Sequence, residues 1–274
     1  QLIGAERITS FVAPAAMTGD LIEAGKQSKA DLSSLLSVGG GGAPRAPAQV
    51  KNIPETFKHA QPSTGWGMTE TNAIGTGIGG EDYLLRPASS GRCSAVLDML
   101  IVDDTGKPLP AGARGELRIR GASVIDGYWM RPEANAEAFE DGWLKTGDVA
   151  YLDDEGYLFI VDRIKDLVIR GGENIGCAEV EAALLALDPV LEASVYAVPD
   201  ARLGEEVGAT LYTQGDLDIT QIQAELAEHI AKFKIPRYIH LEAKPLPRIA
   251  SGKIDKRTLR ASAAARLGLT SEPV

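Results

Sequence analysis

Apolar and polar positions alternate over short distances in the first third of the chain. An apolar segment at Ile8–Ala13 is followed by a helix-like pattern at Met17–Ala24, and Pro47–Phe57 carries a second helical pattern. The short piece Asp31–Leu36 also predicts a helix. Strands that alternate with helices are typical of an α/β fold. We therefore predict an α/β region over about residues 1–85.

The pattern changes to closely spaced strands over about residues 86–162. Ser94–Val102 is an apolar run that ends in a turn, and Gly115–Gly121 alternates with a period of two residues. Shorter runs at Trp143–Asp148 and Tyr157–Val161 follow. Short strands separated by glycine-rich turns predict a small antiparallel barrel or sandwich.

Amphipathic helices return in the last part of the chain. Ala178–Leu187 has apolar residues at helical spacing, and Ile219–Phe233 carries a second amphipathic pattern that ends before a proline. Glu192–Val198 and Val207–Thr213 predict strands. We expect a small α+β unit over residues 163–274.

The stretch Asp162–Asn174 separates these two parts with almost no linker. The strand-like run Tyr157–Val161 leads into charged turns at Asp162–Asp166, and a second run, Leu167–Ile169, ends in two glycines. This pattern fits a hinge and an ordinary β-hairpin inside one domain equally well. The change of pattern on either side favours the hinge. The predicted domains are therefore 1–162 and 163–274.

Composition and charge narrow the classes of function. The 274 residues are 44% hydrophobic and 24% charged, which is typical of a globular protein with one large domain or two smaller ones. The net charge of -10 argues against a nucleic-acid surface, which needs an excess of Lys and Arg. No apolar run of the sequence approaches the roughly 20 residues that cross a bilayer.

Cysteines, histidines and the first residue add three expectations. Cys93 and Cys177 share no CxxC spacing, so we expect free thiols in a reducing cytoplasm. The three histidines are too scattered to predict a metal site. The chain begins at Gln1 with neither Met nor a signal peptide, and we expect that its beginning is missing.

Two glycine-rich stretches are candidate ligand loops. Gly39–Gly42 precedes a predicted helix, as ligand loops do in α/β sheets, although four glycines also fit a flexible linker. Trp66 lies between two glycines, where a large ring suggests that a ligand stacks on it. Thr69 and Glu70 form a pair that suits phosphate and a hard cation, unless Thr69 is only the N-cap of a helix.

Asp148 and Lys253 are the other candidates. Asp148 follows a glycine at the end of a short run, where an exposed carboxylate accepts ligand hydroxyls or caps a turn. Lys253 follows a Ser-Gly turn and precedes a helix that we expect Asp255 to cap. Such a lysine is, on its own, most simply a solvated surface charge.

Seven short motifs occur in order along nearly the whole chain, and they are Gly65-Trp66-Gly67-Met68-Thr69-Glu70, Gly115-Glu116-Leu117, Gly127-Tyr128-Trp129, Thr146-Gly147-Asp148, Asp162-Arg163-Ile164-Lys165, Gly171-Gly172-Glu173-Asn174 and Ser251-Gly252-Lys253. Each motif is weak alone, but seven in this order are specific. Together they resemble the acyl-adenylate-forming superfamily, which includes acyl-CoA synthetases, aryl-CoA ligases, luciferases and peptide-synthetase adenylation domains.

The resemblance implies a fold that is part α/β and part α+β. Residues 1–85 would be the remnant of a doubly wound sheet and residues 86–162 a small β-barrel, both from the C-terminal portion of a large AMP-binding domain. Residues 163–274 would be a small mobile lid domain.

The resemblance also implies a two-step reaction. A carboxylic acid substrate attacks the α-phosphate of ATP, which releases pyrophosphate and leaves an acyl-AMP. A thiol, usually that of coenzyme A, then displaces AMP. The implied cofactors are ATP or AMP, Mg²⁺ and coenzyme A.

Several residues of the first domain receive roles from the resemblance. Glu70 would hold Mg²⁺ and Thr69 would contact the α-phosphate. Trp66, where the family usually has Tyr, would stack on adenine, with Gly67 in the same cofactor loop. The remaining nucleotide contacts would come from residues that line the adenine and acyl pocket or contact the ribose, namely Gly41, Gly42, Ala43, Asp148 and Arg163.

Other roles fall in the second domain. Lys253 would be the adenylation lysine, because a point charge on a flexible stem can bridge the carboxylate and the phosphate as they react. Lys165 would be the hinge about which the small domain turns between the two steps. Gly171 and Gly172 would then form the pantetheine tunnel, where a thiol arm must pass close to the backbone.

The Ser/Thr/Gly-rich phosphate loop of the family and its upstream aromatic-histidine motif are absent from these residues. The resemblance therefore implies the C-terminal piece of a longer enzyme, inactive without its N-terminal part. The leading interpretation is a cytoplasmic acyl-CoA ligase for a fatty or related organic acid. A free-standing peptide-synthetase-type adenylation domain, a luciferase-type oxidase and a non-catalytic nucleotide-binding homologue stay open, as does a homodimer.

Overall fold

A computed structural model of the chain describes residues 1–42, 45–215, 217–249 and 252–269, without the side chains of Ala15 and Ala16. The chain divides into two compact units, Gln1–Ile160 and Val161–Val274. Each unit has its own hydrophobic clusters.

The first unit combines five short helices with most of a ten-stranded sheet. Its helices are α1 (Leu2–Glu6), α2 (Ala15–Gln27), α3 (Pro47–Thr56), α4 (Gly80–Leu85) and α5 (Pro132–Ala138). The strands are β1 (Ser10–Val12), β2 (Ser37–Gly39), β3 (Gln61–Thr64), β4 (Thr76–Gly79), β5 (Gly91–Cys93), β6 (Leu97–Val102), β7 (Gly115–Gly121), β8 (Phe139–Glu140), β9 (Trp143–Leu152) and β10 (Tyr157–Arg163), the last of which runs into the second unit.

The sheet has a parallel end and an antiparallel end. Strands β1, β2 and β3 are parallel, as expected of a doubly wound remnant, and β3 then pairs antiparallel with β4. The order continues β5, β10, β9, β7 and β6, with β8 beside β9. The predicted mixed fold is confirmed, but the predicted small barrel is wrong: within the described residues the sheet stays open. One side of β4 is occupied by β3, so the sheet runs on into its parallel end instead of closing.

Helices α2 and α3 pack together over the parallel end of the sheet, with Ile22, Val38, Ile53 and Phe57 in one buried cluster. The predicted helix at 31–36 is a single turn at Ser33 and Ser34 instead. The Asp31 carboxylate accepts the Ser33 N–H at 2.9 Å, and this local bond competes with a helix.

The second unit is a five-stranded sheet covered by helices. Its strands are β11 (Val168–Arg170), β12 (Glu173–Ile175), β13 (Val190–Asp200), β14 (Gly204–Thr213) and β15 (Tyr238–Glu242), and its helices are α6 (Cys177–Leu185), α7 (Ile219–Leu226) and α8 (Lys256–Arg266). The order is β12-β11-β14-β13, with β15 parallel to β14.

Strand β13 is buried on both faces. Val195 and Ala197 belong to the cluster that contains residues of α6 and α7, whereas Tyr196 and Val198 pack with Leu259 of α8. Helix α7 ends at Leu226, seven residues before the predicted end at Phe233. Ile230 still packs against the same core from a turn, which explains why apolar spacing predicted a longer helix.

Both cysteines are free thiols, as predicted. Across the described ranges, no helix is both long enough and apolar enough to span a bilayer.

Candidate active site

Asp148 lies on the buried face of β9, beside a β-bulge, and its carboxylate is buried in the first unit. Between the pairs Glu116–Val149 and Arg118–Lys145, three residues of β9 oppose one residue of β7. The Thr146 hydroxyl donates to the Leu117 carbonyl at 2.7 Å and accepts the Asp148 N–H at 3.1 Å, which replaces ladder bonds lost at the bulge. Gly147 takes a φ of 69° there, a value that disfavours a side chain.

Asp148 is therefore only 2% exposed. The expectation of an exposed carboxylate at the end of a short run is wrong, because β9 is ten residues long and Asp148 shares its buried face with Leu144 and Ala150. Burial of a charged group requires hydrogen-bond partners. One such partner is Trp66.

The Trp66 indole N–H donates to Asp148 Oδ2 at 2.8 Å, across 82 residues of sequence. The Trp66 ring is half-buried and packs against two hydrophobic clusters, one around Leu117 and Leu158 and one around Ile119 and Leu144. Trp66 is thus anchored by the hydrogen bond of its indole N–H and by the packing of its ring.

We expect Trp66→Phe to lower the free energy of unfolding by about 1.5–3 kcal/mol, because it removes a charge-assisted donor from a buried carboxylate. Urea unfolding of the chain measures this. Trp143→Phe is the matched control: the indole N–H of Trp143 makes no hydrogen bond within the described residues, and its ring stacks with Arg120 at 4.4 Å. Equal losses from the two variants would contradict the role of the Trp66–Asp148 bond.

The loop of residues 65–75 carries Trp66 and Glu70 and connects β3 to β4. It is compact: the Thr76 N–H donates to the Trp66 carbonyl at 2.8 Å, and a Cβ on Gly67 would lie 2.6 Å from the Ala73 carbonyl oxygen. Asn72 and Ala73 both have positive φ angles, which reverse the chain. Gly67 is thus required by the close approach of two backbone segments.

Glu70 lies in a 3₁₀ turn of this loop, and Tyr128 fixes its side chain. The Tyr128 hydroxyl donates to Glu70 Oε1 at 2.8 Å, and the Ile125 N–H donates to the Glu70 carbonyl at 2.8 Å. Burial raises the pKa of Tyr128, and its bond to Glu70 and the Glu70 charge raise it further. The phenol therefore stays a donor, and the carboxylate is held in one orientation.

Thr69 is exposed at the start of the same turn. The alternative that Thr69 is an N-cap is wrong, because Met68 occupies that position. Thr71 makes the local bonds instead, donating to the Met68 carbonyl at 3.0 Å and accepting the Met68 N–H at 3.2 Å.

The loop of Gly41 and Gly42 lies beside the Trp66 loop. A Cβ on Gly41 would lie 3.4 Å from the Gly65 carbonyl oxygen, and Thr64 donates to the Gly40 carbonyl at 3.2 Å. Gly42 is exposed with a φ of 77° and open space around it. Ala43, the third residue predicted for this pocket, lies outside the described residues.

The second unit carries the other predicted residues. Arg163 ends β10, and Lys165 is exposed in the 3₁₀ turn Ile164–Asp166 that follows. Gly171 and Gly172, with φ angles of 60° and 92°, form the two-residue turn of the β11–β12 hairpin. The hairpin alternative for the stretch around residues 162–174 is wrong, because β10 and β11 lie in different sheets and do not pair with each other.

Lys253 is exposed on a turn whose backbone carbonyls accept two hydrogen bonds from residues 248 and 249. The Arg248 guanidinium donates to the Gly252 carbonyl at 2.7 Å, and the Ile249 N–H donates to the Lys253 carbonyl at 2.9 Å. Helix α8 begins three residues later, and Asp255 caps it by accepting the Thr258 N–H at 3.1 Å, as predicted.

Comparison with known proteins places this geometry in a family. Residues 1–129 match the AMP-binding enzyme family, and residues 179–253 match the AMP-binding enzyme C-terminal domain. The chain belongs to the AMP-binding enzyme family. Lys253 is the last residue of the second match, whereas Asp148, Lys165 and Gly172 lie between the two matched segments.

Curated members of the AMP-binding family are similar over most of this chain. The long-chain-fatty-acid–CoA ligase FadD13 of Mycobacterium tuberculosis is 36% identical over 80% of this chain and 43% of its own length. Feruloyl-CoA synthase of Amycolatopsis sp is 38% identical over 84% of this chain and 47% of its own length. The chain thus spans about half the length of these relatives.

A solved member of the AMP-binding family has the same fold. The o-succinylbenzoate CoA synthetase MenE of Bacillus subtilis, in complex with its acyl-adenylate intermediate OSB-AMP, superposes with a TM-score of 0.84 at 32% identity, over 94% of this chain and 52% of that one. The same enzyme has been solved with ATP and magnesium ion, with a TM-score of 0.82 at 31% identity over the same shares of the two chains.

The sequence reasoning gave Tyr128 no role, and it did not predict the pairing of Lys256 with Glu181. Tyr128 was quoted in a motif without a role, although a tyrosine placed between a glycine and a second aromatic residue was a usable signal. Lys256 follows Lys253 by three residues, and only its partners, which are more than sixty residues away in sequence, distinguish it from a surface lysine.

Proposed function

We propose that this chain is the C-terminal part of an AMP-forming acyl-CoA ligase. The observation that carries the proposal is that the loop of residues 65–75 brings together two carboxylates of fixed orientation. Glu70 lies in this loop and is held by Tyr128. Asp148 lies on β9 and is held by Trp66 of the loop. A buried carboxylate with a fixed orientation suits vicinal ribose hydroxyls, and a half-buried one suits a hard cation. The carboxylic acid substrate would be a fatty or related organic acid.

In the proposed first step the acid carboxylate attacks the α-phosphorus of ATP, the bond to pyrophosphate breaks, and acyl-AMP remains. Asp148 would accept the ribose hydroxyls, since a carboxylate offers about four acceptor positions, enough for Trp66 and a ligand together. Arg163 would also contact the ribose. Thr69, with an exposed hydroxyl, would donate to the α-phosphate. The open backbone of Gly41 and Gly42 would lie along the adenine and acyl group.

Glu70 is the residue that would hold Mg²⁺, which fits the common arrangement of one or two carboxylates with substrate phosphates. When bound, Mg²⁺ would neutralise charge on the phosphates. Across the described residues there is no group of three or more His, Cys, Asp and Glu side chains that could hold a metal by itself, in keeping with a cation carried in by ATP. Tyr128 would keep the Glu70 carboxylate turned towards that cation.

Lys253 would donate to the reacting carboxylate and phosphate as negative charge builds on them. In the proposed second step the coenzyme A thiol attacks the acyl carbonyl and the bond to AMP breaks. The second unit would turn about Lys165 between the steps, and the Gly171–Gly172 turn would then form the wall of the pantetheine tunnel. Two glycines with open space around Gly172 support that role.

We also propose that adenylation requires an N-terminal part of the same enzyme. In support, the chain spans about half the length of its curated relatives and has no Ser/Thr/Gly-rich phosphate loop. A cytoplasmic location and a homodimer stay predictions.

A pyrophosphate-release screen over carboxylic acids, with and without coenzyme A, tests these proposals on the polypeptide extended before Gln1 and on this chain alone. We expect acid-dependent pyrophosphate release and a coenzyme A thioester from the extended polypeptide, and neither product from the chain alone. Pyrophosphate release without thioester would favour a peptide-synthetase-type adenylation domain. Thioester from the chain alone would contradict the need for an N-terminal part.

A further inference from the structure

Lys256 differs from the other basic residues of α8. Its side chain is 29% exposed, and its Nζ lies 3.0 Å from Glu181 Oε1. Arg257 and Arg260 on the same helix are exposed. Burial of Lys256 lowers its pKa, but the charge of Glu181, its hydrogen bond to Lys256 and the charge of Asp162 act in the opposite direction, and the net pKa lies above its usual range. Lys256 is therefore a half-buried cation at the first residue of the helix.

Glu181 is a fixed partner for this cation. It lies on α6, and its Oε1 also accepts the Val195 N–H of β13 at 2.8 Å. Burial raises the pKa of Glu181, although Lys256 and the Val195 N–H act in the opposite direction. The Lys256–Glu181 pair thus joins the start of α8 to a helix and a central strand.

A second carboxylate ties the same region to the predicted hinge. Asp162 is 9% exposed, and its two oxygens accept the Arg163 N–H at 2.7 Å and the Ala178 N–H at 3.3 Å. Burial raises the pKa of Asp162, and the nearby Lys256 charge opposes that shift. Asp162, two residues before the hinge turn Ile164–Asp166, therefore accepts one of the free N–H groups at the N-terminus of α6.

The hinge turn is also fastened to α6 by a thiol. Cys177 is fully buried, and its Sγ donates to the Asp166 carbonyl at 2.9 Å, which holds the turn that contains Lys165. Burial raises the pKa of the Cys177 thiol, so it remains protonated and can donate. Asp162, Cys177 and Glu181 thus form one acidic and polar cluster around Lys256.

The turn of Lys253 lies between two anchors. On its N-terminal side, the Arg248 guanidinium donates a hydrogen bond to the Gly252 carbonyl and another to Glu192 Oε1 at 2.5 Å. On its C-terminal side, Lys256 pairs with Glu181. Two fixed points with only a few residues between them restrict where the Lys253 ammonium can go.

We propose that Lys256 is a positioning residue for Lys253: by pairing with Glu181 beside Asp162, it joins the Lys253 turn and the Lys165 turn into one rigid body. This inference rests on the proposed function, because it assigns the pair to the adenylation step. A rotation about Lys165 then moves the Lys253 turn together with the rest of this body, whereas movement of one turn relative to the other misplaces the Lys253 ammonium. A displacement of about 1 Å at a reacting centre can cost on the order of 10²-fold in rate.

Half-reactions of the extended polypeptide provide the kinetic test. We expect Lys256→Met to slow acyl-AMP formation by about 10²-fold while thioester formation from supplied acyl-AMP changes by less than about threefold. Lys256→Arg, which keeps the charge, should recover most of the lost rate. Arg257→Met, an exposed neighbour on the same helix, should change neither step. An equal fall in both steps would show that Lys256 only supports folding, and it would overturn the inference.

Hydrogen exchange of this chain tests the coupling without any activity. We expect Lys256→Met to speed exchange of backbone amides in residues 162–170, whereas Arg257→Met leaves them unchanged. If exchange in this segment does not rise, the inference is overturned even where the enzyme is active. If no carboxylic acid yields acyl-AMP with the unaltered protein, the proposed function fails, and the exchange result alone decides whether Lys256 couples the two turns.

Discussion

Replacing Lys253 with Met should slow acyl-AMP formation by about 10²–10³-fold, while thioester formation from supplied acyl-AMP stays largely intact. Removal of one preorganised donor to developing negative charge costs a rate factor of about this size. Lys253 is exposed on a turn held by Arg248 and Ile249, so its side chain can be changed without disturbing buried contacts. Single-turnover measurements of each half-reaction in the extended polypeptide would check this.

Lys232 provides the control for this change. It is an exposed lysine of the same unit, in a 3₁₀ turn that contains none of the seven motifs. Lys232→Met should leave both half-reactions unchanged. Equal loss of both steps in Lys253→Met would contradict the assignment of Lys253 to adenylation alone.

Local patterns predicted much of the fold. The period of two in Gly115–Gly121 marks β7, and apolar spacing marks α6 to within two residues at its C-terminal end. Whether the sheet closes into a barrel could not be predicted, because alternation along a strand reports which face is buried and not which strands become neighbours. The pairing of β4 with β3 on one side and with β5 on the other, which leaves the sheet open, is not contained in that alternation.

The candidate residues were identified by motif, but their surroundings were not. Asp148 lies beside a bulge at Thr146 and Gly147, where the Thr146 hydroxyl bonds the carbonyl of Leu117, nearly thirty residues earlier. The partner of Asp148, Trp66, is 82 residues away. Such pairs arise only when the sheet assembles, so no local pattern could predict them. The functional roles of these residues remain predictions.

Tyr128 illustrates how the structure changes the meaning of a motif. In the sequence it is part of the motif Gly127-Tyr128-Trp129, to which no role was assigned. In the structure its hydroxyl bonds Glu70, and Asn135 accepts its backbone N–H at 2.6 Å and donates to its carbonyl at 3.0 Å. Tyr128 therefore connects the proposed metal-binding carboxylate to α5.

Gly172→Val should slow the second half-reaction and spare the first, the opposite of Lys253→Met. We expect thioester formation to slow by about 10²-fold, since a branched side chain in the proposed tunnel displaces the thiol arm, while acyl-AMP formation changes little. The φ of 92° at Gly172 also makes the substitution strained, at about 1–3 kcal/mol, so a stability control is essential.

Gly215→Val is a closely matched control for this strain. Gly215 has a φ of 90°, is exposed and has open space where a Cβ would lie, as Gly172 does, but it follows β14 and not β11. The two variants should therefore lose similar free energy of unfolding, and only Gly172→Val should lose thioester formation. If both variants slowed that step alike, the effect would come from backbone strain in the second unit, and the Gly171–Gly172 turn would have no special part in admitting the thiol.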